Sequence, residues 1–230
     1  MLAQGGEGQP MGTVVWDGLV GDDVLHEDAA KVRNQLTDAA KNFEWGRLTA
    51  MLREQRDLVN ITRSGGTSLF APLHQAAYGG APMPVVEELL ELGAWRTLQN
   101  ARGERPIDVA ERRGHHHLLD VLEPRLLRHV PIGVLLKVQA HFHTVIQGRA
   151  PEQTRGRSLR LPELEPLLEL EPGIVWFAVP GMYGGFAYDL RSNGVEAMLE
   201  AESWCRVVGG SGQRHEITSA GSRLVEEGFV

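Results

Sequence analysis

Cys205 and His215 come nearest, by type and spacing, to a reaction centre. A thiolate is a strong nucleophile, and an imidazole is a common base for generating one. Ten residues separate the two, and Gly209-Gly210-Ser211-Gly212 between them is suited to a reversal that would set them side by side, with Glu202 or Glu216 as an orienting third group. The competing reading is that Cys205 fills space, as free cysteines commonly do. Tyr183, an aromatic in the glycine-rich stretch Pro180 to Gly185, belongs to the same alternative as a residue that would touch a small-molecule ligand.

Other chemistry-bearing clusters are weaker. His115-His116-His117 has the ligand type for zinc, but adjacent helical residues point about 100° apart and cannot converge on one ion. His141 and His143 flank Phe142 and diverge for the same reason. The Gly209 to Gly212 run offers backbone N–H groups to an anion but lacks the Gly-Lys-Ser/Thr that completes a P-loop. The expectation is therefore no metal and no cofactor.

These residues sit in a chain of 230 residues that is 42% hydrophobic and 23% charged, the composition of a folded globular protein. Its one cysteine excludes an internal disulfide and fits a reducing cytoplasm. No run approaches the ~20 apolar residues that cross a bilayer, and the first residues have neither a basic nor an apolar leader segment. The net charge of −7 repels nucleic acid and anionic membranes. Arg149, Arg155, Arg157 and Arg160 form a local basic cluster, but Glu163, Glu165, Glu169 and Glu171 follow at once, which reads as a solvated, self-compensating linker.

Positioning falls to two kinds of element. Residues 1–21 read as a flexible tail. From residue 22 the apolar spacing turns helical, and an internal repeat appears. Ala71-Pro72-Leu73-His74-Gln75-Ala76-Ala77 recurs as Arg105-Pro106-Ile107-Asp108-Val109-Ala110-Glu111, 34 residues later. Val85 to Leu90 recurs approximately as Leu118 to Leu122. A weaker first copy, Leu36-Thr37-Asp38-Ala39-Ala40 with Trp45 to Leu52, lies 37 residues before the second, with the extra length around Gly65-Gly66-Thr67-Ser68.

This pattern resembles the ankyrin repeat over residues 36–123. Pro72, Leu73, His74, Ala76 and Ala77 match the family motif, and Leu89-Leu90-x-Leu92-Gly93-Ala94 closes that copy in the family manner. The sequence departs from it at Gly79-Gly80-Ala81-Pro82-Met83-Pro84, where two prolines stand in the inter-helix turn, and at Asp108, which replaces histidine. The resemblance implies stacked helix pairs, a His74 that ties copies together through backbone hydrogen bonds, and binding through turn tips and inner helices. The apolar stripe of Pro131 to Gln147 reads as a helix capping the array.

After the linker, Ile174 to Val179, Gly185 to Leu190, Met198 to Val208 and Gln213 to Thr218 read as strands, with Asn193-Gly194 as a tight turn. Leu159 to Leu170 reads as a strand and short helix, and Ser219 to Glu227 as a last helical turn. The expected fold class is α+β: a short ankyrin-repeat array with its cap over 22–148, an Arg-rich linker over 149–158, and a small antiparallel β-rich module over 159–230.

The expected function is recognition of another protein, with Gln75, Tyr78, Arg96, Arg102, Glu104 and Arg105 as the partner-binding surface. Tyr and Arg join contact area to directional hydrogen bonds, as binding hot spots do. A cytoplasmic bacterial immunity or adaptor protein is one specific form of that expectation, by analogy alone. The alternative is an enzyme or small-molecule-binding protein with its site around Cys205, His215 and Tyr183.

Overall fold

The computed structural model describes residues 14–21, 27–155, 159–205 and 210–228, and within these the fold is α+β. Three helix pairs come first: α1 (Glu27–Lys41) with α2 (Trp45–Glu54), α3 (Pro72–Gly79) with α4 (Met83–Glu91), and α5 (Pro106–Arg113) with the short α6 (Leu119–Leu122). The first helices pack in the order α1, α3, α5, and α2 lies against α4. Close approach follows from side-chain size, because Ala39, Ala40, Ala76, Ala77 and Ala110 are all buried at the crossings.

The repeat is also a repeat of end chemistry. Pro72 and Pro106 stand in the first helical turn, where a missing N–H is harmless. Three residues into each unit a side chain reaches back to the start: His74 Nδ1 accepts from the Ala71 N–H at 3.4 Å, and Asp108 accepts from the Arg105 N–H at 2.7 Å. Histidine and aspartate thus do the same capping work, which explains the replacement at 108. Both helices close on a left-handed glycine, Gly80 and Gly114. At Gly80 a Cβ would lie 2.6 Å from the His115 ring, so glycine is required there twice over.

The sheet has the order β1-β2-β3-β4-β5-β6. β1 (Val14–Val15) runs parallel to β2 (Val175–Val179), and β3 (Gly184–Ser192), β4 (Ala197–Cys205), β5 (Ser211–Thr218) and β6 (Gly221–Glu227) continue as an antiparallel meander. Alternate residues, among them Phe177, Phe186, Tyr188 and Leu199, form one buried face. α7 (Ile132–Arg149) covers that face with Leu135, Val138, Phe142, Val145 and Ile146, and the Phe142 ring stands 5.0 Å from Tyr188.

Several sequence expectations need correction. α7 does not act as a cap on the repeats: it packs chiefly on β4, β5 and β6, because its apolar stripe meets a broad aromatic face there. Ser219 to Glu227 is not helical: a turn closed by Gly221 returns the chain as β6, and Glu226 pairs with Arg214 while Leu224 pairs with His215, leaving Val225 as a bulge. Val14 to Gly21 is not a tail. Trp16 is 3% exposed and stacks on Trp95 at 5.7 Å, and Asp17 pairs with the buried Arg33. Residues 1–13 and the stretch 206–209 lie outside the described residues.

The division at 149–158 is crossed by contacts on both sides. Arg149 is the last residue of α7 and donates to the Ser203 hydroxyl at 3.1 Å and the Ser211 carbonyl at 2.9 Å. α8 (Pro151–Thr154) follows directly, and Arg157 lies outside the described residues. Three of the four glutamates beyond are not solvated, and Glu171 alone of them is exposed. Glu169 accepts from the Thr97 N–H at 2.7 Å and the Arg96 N–H at 3.2 Å, Glu163 accepts from the Gln99 N–H at 3.1 Å, and Glu165 pairs with Arg105. Loop N–H groups that lack helix or sheet partners are satisfied by these carboxylates, which therefore weld the helical pairs to the sheet.

Candidate partner-binding groove

A groove runs along one side of the helix pairs, in two halves of about 230 and 420 Å³ that share Thr67, Ser68 and Phe70. The outward faces of α1, α3 and α5 form its floor through Thr37 and Lys41, Gln75 and Tyr78, and Arg112 and Arg113. The loops before α3 and before α5 form its lip, and they are joined where the Ala101 N–H donates to the Ser68 carbonyl at 3.0 Å. Leu69 carries φ +52° in that lip, a backbone conformation that costs a non-glycine residue energy and is held here by its neighbours.

The chemistry is aromatic and cationic. Phe70 and Tyr78 meet edge to face at 6.0 Å, and the Arg113 guanidinium lies over the Tyr78 ring at 4.4 Å. Glu104 is the carboxylate in the lining, and its charge is taken up locally: Arg112 donates to it at 2.7 Å and Asn100 at 2.9 Å, which together hold the carboxyl below its ordinary range. Arg63 pairs with Asp38. Among the described residues Lys41, Arg102 and Arg113 make no ion pair.

Of the partner-binding residues expected from sequence, the structure gathers Gln75, Tyr78, Arg102 and Glu104 at this groove and removes two. Arg96 turns inward, donating its Nε–H to the Val121 carbonyl at 3.0 Å, and Arg105 is held by Glu165. The expected set also missed Lys41, Phe70, Arg112 and Arg113. A signal was present in the repeat spacing, since the positions 37 before and 34 after Tyr78 are Lys41 and Arg112.

Four histidines are held against backbone carbonyls. His74 is fully buried, its Nε2 lies 3.2 Å from the Glu104 carbonyl, and burial pushes its pKa down to about 4. His115 and His117 reach back to the Tyr78 and Ala81 carbonyls at 3.2 and 3.3 Å, and His143 binds the Pro162 carbonyl at 2.8 Å. No group of three or more metal-ligating side chains is found among the described residues.

The alternative site does not assemble. Cys205 pairs in register with Ser211, whereas His215 pairs with Ala201, four positions along the strand or about 13 Å away at ~3.3 Å per residue. The thiol instead lies 3.0 Å from the Met182 carbonyl, and Glu202 and Glu216 belong to the opposite face of the sheet from His215. Burial, then the charge of Arg149, lowers the His215 pKa. Tyr183 is 75% exposed at the β2–β3 turn with φ +50°.

No protein-family model matches the chain, and a search of curated proteins finds no relative. No helix among the described residues is long and apolar enough to cross a membrane.

Proposed function

We propose that the chain is a protein-recognition module of the ankyrin-repeat type, which holds a segment of a partner protein in the groove formed by α1, α3 and α5. The observation that carries this reading is the row of equivalent positions Lys41, Tyr78 and Arg112, presented side by side by three successive helix pairs. A repeat buries its conserved interior and displays its variable residues as one continuous surface, which is how a binding face is built from short units. On this reading the activity is binding, as in an adaptor or immunity protein.

The test is site-specific photo-crosslinking in extract of the source organism, with the reactive residue placed at Gln75 or, as a control on the exposed sheet face, at Ala178. A protein adduct is expected from Gln75 and not from Ala178, and Tyr78→Ala with Arg102→Glu should lower its yield at least tenfold while leaving the melting temperature nearly unchanged. An adduct formed from Ala178 alone would move recognition to the sheet and refute the groove.

A further inference from the structure

The groove's charge is opposite to that of the molecule that carries it. The chain bears −7 overall, yet Lys41, Arg63, Arg102, Arg112 and Arg113 line the groove against one carboxylate, Glu104. Internal pairs account for Arg63 and Arg112. Lys41 and Arg102 are exposed, one in each half of the groove, and Arg113 lies over Tyr78 in the same half as Arg102. Three cations along one groove, none of them in an ion pair within the described residues, give it a positive field that attracts an anionic chain.

The width and floor limit what that chain is. Phe70 and Tyr78 give an apolar, aromatic centre between the cations, and Gln75 adds an amide that hydrogen-bonds a peptide backbone. Resting on the recognition reading above, we infer that the occupant is an extended acidic peptide segment: Asp or Glu residues meet Lys41, Arg102 and Arg113, and an apolar residue between them packs on Phe70 and Tyr78. A nucleic-acid strand shares the anionic chemistry, but the field of the remaining acidic surface opposes a polyanion that extends past both ends of the groove, whereas a short peptide stays within it.

Selection of a phage-displayed random decapeptide library on the full chain tests this. Recovered sequences are expected to be enriched in Asp and Glu around a central apolar residue. As synthetic fluorescent peptides, they should bind at least tenfold more weakly to Lys41→Glu/Arg102→Glu, with weakening on added salt. The neutral pair Lys41→Gln/Arg102→Gln should fall between, and circular dichroism should report the wild-type fold for both. Recovered peptides that lack acidic enrichment, or that ignore the charge reversal yet lose binding on Tyr78→Ala, overturn the acidic specificity and leave the groove standing. Peptides indifferent to Tyr78→Ala overturn the groove itself. A ten-nucleotide single strand that binds the groove more tightly than every recovered peptide assigns it to nucleic acid instead.

Discussion

His74 carries two jobs at one position, capping α3 through Nδ1 and bonding the next unit's Glu104 carbonyl through Nε2. The first nitrogen must accept and the second donate, so the ring must be neutral with its proton on Nε2. Burial enforces this by lowering the pKa from 6.5 to about 4. In the unfolded chain the ring protonates near 6.5, so between those values the unfolded state binds more protons and stability rises with pH. The contribution is complete above pH 6.5 and is lost as pH falls toward 4. A shift of that size corresponds to at most about 3 kcal/mol. His74→Asn keeps a cap acceptor but does not titrate. Across this window, urea denaturation should therefore show a wild-type loss that exceeds the variant's by up to ~3 kcal/mol. Parallel profiles for the two proteins would show that His74 does not couple folding to pH.

At the scale of elements, the helix pairs depend on small residues and the sheet on alternation. Ala76 is fully buried on α3, which packs against both α1 and α5. Ala76→Leu adds three carbons where no space exists, and the expected cost is ~1–3 kcal/mol in chemical denaturation. An unchanged midpoint would mean that the helices do not meet at that residue. The edge strand β6 is guarded differently: Arg223, Glu226 and Glu227 charge it, and the bulge at Val225 breaks its regular ladder. These local devices were legible in sequence for the helices, where Pro, Ala and Gly recur at fixed spacing. They were misread for β6, where the five charged and apolar residues from Arg223 to Glu227 suit helix and strand alike.

At the scale of the whole molecule, the segment from Leu159 to Leu170 is the joint. Its glutamates fill the hydrogen-bonding needs of the loop from Arg96 to Arg105, Arg160 binds the Gln99 carbonyl, and the Trp16–Trp95 stack closes the same junction from the N-terminal side. Helical pairs and sheet should therefore behave as one cooperative unit. Arg155 is exposed, so limited trypsin treatment is expected to cut after it. The two fragments should still co-elute on native gel filtration and separate only in denaturant. A freely eluting C-terminal fragment of about 75 residues would instead restore two independent domains joined by a linker.

What the sequence determined on its own was whatever is written at short range: the 34-residue repeat, the helix starts and stops, the alanines that let helices approach, and the strands from β2 to β5. These depend on a residue and its near neighbours, so periodicity and turn chemistry suffice to find them. Tertiary structure alone decided which surface the stripe of α7 would cover, that Glu163, Glu165 and Glu169 would bind a loop rather than water, and that Cys205 and His215 would stand four register positions apart. It also decided which of the candidate arginines would face the groove. An apolar stripe or a run of charge is equally content with many partners of the same chemistry, and the choice among partners 60 to 73 residues away is made only when the whole core packs at once.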